Sequence, residues 1–453
     1  MKTVLITGAT GFVGRALMVE LLRRGHKIKA LTTQDAQIVA ESIGLPVQWF
    51  TWSPRVGHMP EAVWEGVEVV VNLAGKNLGD HFWSPKVKSE ILSSRIESVN
   101  TLIESMTKVN AKPVILSASA IGIYADEKEK WLEESSPMGS DFLSEVCHKW
   151  ESAWEGWQQS PVCIMRIGVV LGRGGGFMQV MDNVFSRGVG SVLGTGKQWL
   201  SWIHLSDLVG IFLGQIENFK PVAVINAVAP EPISNVDMTI KLAGLWRKRT
   251  LPALPSWFIK LVLGEKSLLA LKSARVKSTG AVKIDYEFQV KTFQDSLALD
   301  YPFDGSFFMQ RYQWINRKVP EVFEFFSDPL NLEHITPPFL KFRVEKVSTP
   351  LIQTDTLIDY QLKVHGIPIR WQSKIDIWIK NEKFVDRQLK GPYQFWHHQH
   401  NFEEIAGGTL IWDKVQYKIP FGGPGNLVMA AKVQCDVQRI FDYRFKKLKS
   451  IFT

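Results

Sequence analysis

The stretch Thr3-Val4-Leu5-Ile6-Thr7-Gly8-Ala9-Thr10-Gly11-Phe12-Val13-Gly14 decides how the chain is read. A short β-branched apolar run breaks into glycines and continues into Arg15 to Arg24, where Leu17, Leu21 and Leu22 fall on one helical face. Strand, glycine turn and helix in that order make a corner suited to a dinucleotide. Gly8 permits the tight turn, Gly11 lets a pyrophosphate approach the backbone, and Gly14 lets the helix pack on the strand. The start of the helix then offers unpaired N–H groups and a partial positive charge to the phosphates.

Working outward, the same alternation continues to about residue 230. Buried-strand patterns at Thr3 to Thr7, Lys27 to Thr32, Val67 to Leu73, Pro113 to Ser117 and Val162 to Ile167 are separated by helical ones, including Pro85 to Val109. This predicts an α/β, Rossmann-type doubly wound parallel sheet over residues 1–230. Residues 231–300, punctuated by Pro230, Pro232, Pro252 and Pro255, read as a small appended lobe on the substrate side. After the turn at Tyr301 to Gly305 the texture changes to long strands such as Phe308 to Asn316, Ile369 to Lys380 and Thr409 to Tyr417. A short helix opens at Val319-Pro320, and a final helix carries Val433, Val437, Ile440, Phe441, Leu448 and Phe452. Residues 306–453 are therefore expected to form a separate α+β domain.

The chain has 453 residues, 45% hydrophobic and 22% charged, enough for two or three cores and neither disordered nor membrane-like in composition. The net charge of +8 is scattered; its densest cluster, Arg444 to Lys449, reads as the solvated face of the terminal helix, so no nucleic-acid partner is expected. Three cysteines without metal or redox spacing, and no apolar stretch of bilayer length, predict a cytoplasmic protein without a membrane span. The second strand ends Leu31-Thr32-Thr33-Gln34 with Asp35 only afterwards. An acid at that end would repel a 2′-phosphate, so NADP is preferred to NAD.

The glycine corner, Asn72 to Gly75 and Arg166 to Gly172 together resemble the extended short-chain dehydrogenases. Trp83, Lys88, Ser94-Arg95, Ser117 to Gly122, Phe142 to Glu151, Trp202-Ile203-His204 and the module from Pro255 to Gly264 narrow the resemblance. It is to the atypical NAD-dependent epimerase group once labelled cell-division inhibitors, and it spans residues 1 to about 300. The resemblance implies a cofactor set of Gly8, Thr10, Gly11, Phe12, Val13, Gly14, Thr33, Leu73, Ala74, Gly75 and Arg166. It places Arg95, Arg166, His204 and Asp207 near the cleft, with Arg95 and His204 as substrate-side residues. Two readings stand for Arg95, an anchor for an anionic substrate group or an interior ion-pair partner.

Short-chain dehydrogenases usually pair a tyrosine with a lysine four positions on, but the helix Phe142 to Glu151 lacks that pair. Ser119 stands at the serine position and Tyr124 just beyond it; these are the catalytic candidates, Tyr124 as acid or base or else as a packing residue. The run Gly172 to Phe177 lacks the lysine of a phosphate loop and reads as a lid over the cofactor.

The segment from Val319 to Pro329 and the strand around Phe384-Val385-Asp386 resemble START-like or polyketide-cyclase-like (SRPBCC) helix-grip domains. That resemblance implies an apolar ligand between a curved sheet and the last helix. Trp371, Ile375, Ile377 and Ile379 are expected on one strand face. His398 and His400 share a face too, but no carboxylate or cysteine sits at convincing spacing, so no metal is expected and polar groups at a cavity mouth are preferred. Two functions follow. One is an NADP-dependent oxidoreductase or epimerase acting on a small carbonyl, sugar-like or apolar substrate. The other is an NADP-binding sensor or scaffold without turnover.

Overall fold

The computed structural model describes residues 1–419 and 424–452. β1 (Thr3–Thr7) is an interior strand, and its burial explains the unbroken apolar run, since a strand covered on both faces has no solvent side to alternate with. Around it lie α1 (Phe12–Arg23), β2 (Lys27–Thr32), α2 (Ala36–Ile43), β3 (Gln48–Thr51), β4 (Val67–Asn72), α3 (Pro85–Lys108), β5 (Val114–Ala120), α4 (Phe142–Ser152), β6 (Val162–Ile167), α5 (Gly176–Ser186), α6 (Leu205–Glu217) and β7 (Val224–Ala227). The seven strands are parallel in the order β7-β6-β5-β4-β1-β2-β3, so the winding reverses between β1 and β4. In such sheets the reversal opens a crevice at the carboxyl ends of the strands.

Local sequence sets the two helices that border the crevice. The Ser84 hydroxyl accepts the Val87 amide and Pro85 fills the first turn, starting α3 where a free N–H is no loss. The Asp141 carboxylate caps α4 through the Ser144 amide. Leu5, Leu31, Val70 and Ile115 from the strands then meet Val99, Leu102 and Met106 of α3 in one apolar cluster with Trp150, Trp154 and Trp157. Burying each large side chain there contributes about 1.5–3 kcal/mol.

By contacts the chain divides into two units, Met1–Ser42 with Val47–Pro302, and Ile43–Pro46 with Phe303–Thr453. Residues 231–302 stay with the first unit as short helices, Asn235–Leu245 and Phe293–Asp300 among them, and very short strands such as Arg275–Val276.

The second unit is built on β8 (Phe307–Ile315), α7 (Val319–Ser327), β9 (Arg343–Val347), β10 (Leu357–Val364), β11 (Ile367–Ile379), β12 (Lys383–Lys390), β13 (Phe395–Ile405), β14 (Gly408–Lys418) and α8 (Pro424–Phe452). Its seven strands are antiparallel in the order β8-β14-β13-β12-β11-β10-β9.

Two expectations need correction. Trp371 and Ile375 are buried, but Ile377 and Ile379 are 41% and 39% exposed. A bulge between Ile375 and Ile377 switches the faces of β11, so Trp378 turns inward instead and packs on Phe323. Arg444, read as part of a solvated face, is only 7% exposed; it lies between Phe441 and Leu448 on the buried stripe of α8.

All three cysteines are free thiols, Cys147 and Cys163 buried and Cys435 exposed. Burial pushes the first two up to about 11 and about 12. Among the described residues no helix is long and apolar enough to cross a membrane.

Candidate functional site

The glycine corner sits at the reversal of the sheet, and its three glycines are needed for different reasons. Gly8 has φ +64°, and a Cβ there would lie 2.6 Å from the Leu73 carbonyl oxygen. One on Gly14 would lie 2.5 Å from the Gly8 carbonyl oxygen. Gly11 has only that same oxygen nearby, at 3.1 Å, and is exposed; it caps α1 without any side-chain hydrogen bond. The helix therefore presents an uncapped amino terminus beside an open glycine, which is the form of an anion cradle.

The neighbouring strand end is held in place by a row of hydrogen bonds. The Thr7 hydroxyl accepts the Leu73 and Ala74 amides, both at 3.0 Å, and donates to Asn72 Oδ1 at 2.7 Å. Asn72 in turn donates to Ser117, which also accepts from the Trp154 indole. Thr10 and Thr33 are exposed, and Val13 is half-buried. Phe12 lies against the glycine run: a Cβ on Gly175 would come within 2.2 Å of its ring. The run expected to serve as a lid thus forms the bed of that ring and leads into α5. Asp35 accepts the Gln37 and Ile38 amides at 2.9 and 3.0 Å, capping α2.

Ser119, Tyr124 and Arg166 come together, through partners that the sequence did not disclose. Glu151 Oε1 accepts Ser119 Oγ at 2.6 Å and Arg166 Nε at 2.9 Å, while Oε2 accepts Arg166 Nη2 at 2.8 Å. Arg166 Nη1 donates to the Tyr124 hydroxyl at 2.9 Å and the Glu134 carbonyl at 2.8 Å, and Tyr124 donates to Asn226 Oδ1 at 2.6 Å. Burial pushes the Tyr124 hydroxyl above its ordinary value even with Arg166 beside it. Glu151 lies one helical turn beyond Cys147 on the covered side of α4, and that carboxylate beside an arginine-bearing apolar strand was the available signal.

Arg95 is differently placed. Its guanidinium, 9% exposed as a residue, donates to the Ile91 and Lys76 carbonyls at 2.8 and 3.1 Å and lies 5.0 Å from the Trp150 ring. Among the described residues no carboxylate pairs with it, and burial lowers its pKa. Gly75 leaves room for it, since a Cβ there would lie 3.0 Å from Arg95 Cζ. His204 caps α6 through Nδ1, while buried Nε2 has no hydrogen-bond partner and lies 3.5 Å from Asp300. Asp207 is engaged by Tyr286 and by the Gln289 and Val290 amides, which makes it a clamp on the following lobe.

In the second unit, the sheet and α8 enclose a cavity of about 590 Å³ walled by side chains such as Ile335, Leu340, Trp371 and Phe441. His398 and His400 are buried in this wall rather than at an exposed rim. Carboxylates do accompany them: Asp386 faces His398 across one strand pair and Asp413 faces His400 across the next. Cross-strand neighbours are distant in sequence, which is why spacing alone did not find them. Burial pushes His398 down to about 4; for His400 burial pulls the same way, but Asp413 outweighs it and the pKa ends above its ordinary value.

Against known proteins, the profile of the NAD dependent epimerase/dehydratase family matches residues 4–227. The chain is 35% identical over 303 residues to an Arabidopsis thaliana protein, "Epimerase family protein SDR39U1 homolog, chloroplastic", covering 65% of this chain and 85% of that one. It is 31% identical to the Bacillus subtilis epimerase family protein YfhF, covering 65% and 96%. The crystal structure of human epimerase family protein SDR39U1 with NADPH superposes with a TM-score of 0.59 at 28% identity, over 66% of this chain and 99% of that one. With its parallel sheet, its glycine corner and these relatives, the chain belongs to the NAD dependent epimerase/dehydratase family.

Proposed function

We propose that the first unit binds NADP(H) and acts as an oxidoreductase or epimerase on a small carbonyl or sugar-like substrate carrying an anionic group. The observation that carries this reading is the open Gly11 corner at the uncapped start of α1, which fits a pyrophosphate. When bound, the nicotinamide supplies the hydride donor or acceptor. Thr7 holds Leu73 and Ala74 beside the corner, with Gly8, Thr10, Phe12, Val13, Gly14, Thr33 and Gly75 completing the nucleotide's surroundings. The end of β2 carries Thr32, Thr33 and Gln34 and no acid, and Asp35 is turned to the cap of α2, which favours NADP; the human relative solved with NADPH supports the same choice. Arg95, a buried cation held by two backbone carbonyls and the Trp150 ring, receives the substrate's anionic group, and His204 Nε2, which makes no hydrogen bond among the described residues and has Asp300 3.5 Å away, orients a substrate oxygen. Ser119 and Tyr124 stand closest to the acid–base role. Arg166 supports them through Glu151 and the Tyr124 hydroxyl.

The second unit is read as a START-like helix-grip domain that takes an apolar ligand, supported by its antiparallel sheet, long terminal helix and largely apolar cavity. The test for the first unit is a tryptophan-fluorescence titration of the full chain. NADPH is expected to bind at least about tenfold more tightly than NADH, a difference near 1.4 kcal/mol. Gly11→Val is expected to abolish binding while leaving the circular dichroism unchanged. Equal affinities, or retained binding in the variant, contradict the reading.

The second reading, an NADP-binding sensor without turnover, is favoured by the engagement of both hydroxyls in hydrogen bonds within the protein, Tyr124 in a buried one and Ser119 in a partly buried one. Tight NADPH binding with no oxidation of NADPH across a panel of carboxylated carbonyl compounds would select it.

A further inference from the structure

Four side chains of the second unit, Asp386 on β12, His398 and His400 on β13, and Asp413 on β14, make a layered cluster. The imidazole centroids are 3.7 Å apart. Each ring turns one nitrogen toward Asp413 and the other toward Asp386. On the Asp413 side, His398 Nε2 is hydrogen-bonded at 3.0 Å; His400 Nδ1 lies 2.8 Å from the same oxygen, off the hydrogen-bonding line. On the other side, Asp386 Oδ1 is 3.4 Å from both His398 Nδ1 and His400 Nε2.

All four contacts are within ion-pair range, but they differ in length: the Asp413 distances are short enough for hydrogen bonds, whereas 3.4 Å lies beyond the usual hydrogen-bond range of about 2.7–3.2 Å. It matches the edge of a coordination polyhedron: zinc bonds of about 2.0–2.1 Å put tetrahedral corners about 3.3–3.4 Å apart. With its N–H directed to Asp413, a neutral imidazole turns a lone pair to its other side. There His398 Nδ1 and His400 Nε2 both approach Asp386 Oδ1, and one ligand atom from each of the three residues lies within 4.8 Å of the other two. A carboxylate behind the imidazoles is the arrangement that fixes tautomers in metal sites.

The cavity supplies the rest. Asp386, His398 and His400 lie in its wall together with Arg444, whose Nε and Nη1 are buried without a hydrogen-bond partner among the described residues. A divalent ion balances the charges of Asp386 and Asp413 and leaves that of Arg444 over. The geometry points to a divalent, zinc-class metal ion held by Asp386, His398 and His400, with Asp413 orienting the imidazoles. Its open position, together with Arg444, receives the anionic head, a carboxylate, of an apolar ligand. The metal site stands independently of the nucleotide; the ligand's head group rests on the apolar-cavity reading above.

The test uses the full chain, stripped with a chelator and titrated with Co²⁺ and Zn²⁺. One equivalent of Co²⁺ is expected to give the intense visible absorption of a low-coordinate nitrogen–oxygen site, and Zn²⁺ to bleach it. Asp413→Asn is expected to weaken Zn²⁺ binding by about 10–100-fold, and the double variant His398→Ala/His400→Ala by more than that. Absence of the Co²⁺ absorption in the unmutated chain, a measurement independent of whether any variant folds, overturns the metal site, as does unchanged affinity in a folded double variant. Decanoate is then expected to shift the Co²⁺ bands, and Arg444→Met to abolish the shift. Bound Co²⁺ whose spectrum ignores decanoate overturns the anionic-head assignment and leaves the metal assignment standing.

Discussion

Arg166 in the first unit and Arg444 in the second are almost equally hidden, at 5% and 7% exposure, and are partnered in opposite ways. Arg166 is gripped by both oxygens of Glu151, by Tyr124 and by a backbone carbonyl. Arg444 has two guanidinium nitrogens with no acceptor among the described residues and lies in the wall of a cavity. Burying a charge is costly unless it is paired, so the first arrangement is complete as folded and the second is complete only with something bound. A buried ion network therefore marks scaffolding when it closes on itself and a binding site when it does not.

The comparison is broken most sharply by Arg166→Met. Leaving Glu151 buried without its partner is expected to cost about 3–5 kcal/mol of stability, read as a large fall in the denaturation midpoint. If Arg166 instead served mainly to hold the nucleotide, the variant would keep its stability and lose NADPH.

A smaller effect is expected from pH at Asp182, where burial pushes the carboxyl up to about 6 although Tyr301 and Trp246 donate to it. A carboxyl whose folded pKa exceeds its unfolded one binds its proton more readily in the folded state. Its contribution thus turns unfavourable as pH rises from about 4 through 6, by up to about 3 kcal/mol. Denaturant titrations at pH 5 and pH 7.5 should show about half of that loss, roughly 1.4 kcal/mol, and Asp182→Asn should flatten it; an unchanged slope in the variant would assign the pH dependence elsewhere.

The smallest change is expected at Arg444. Since it closes no network, Arg444→Met should alter the stability of the stripped chain by no more than about 1 kcal/mol. A loss comparable to that of Arg166→Met would show that Arg444 is an ordinary structural cation.

The first unit's fold was legible because parallel strands carry their signal locally: each buried run, such as Val162–Ile167, is bounded by its own turn. The glycine corner is local as well. The Glu151–Arg166 pairing was not legible, since helix and strand meet through packing that no spacing records. In the second unit the alternation of β11 was visible but its bulge was not, so Ile377 and Ile379 were placed on the wrong face. The carboxylates beside His398 and His400 depend on register across three strands, which turns and loops fix and composition does not. Arg444 was legible in principle: three residues beyond Phe441 and four before Leu448 is the spacing of a buried stripe, masked by the basic residues that follow it.

The state of the three thiols makes the chain convenient to watch. Cys147 and Cys163 are walled off and kept protonated by burial, which leaves Cys435 on α8 as the residue open to a maleimide dye. It is flanked on that helix by Val433 and Asp436, both in the cavity wall, so one fluorophore attached without any mutagenesis would sit beside the chamber and report its filling as a change in emission.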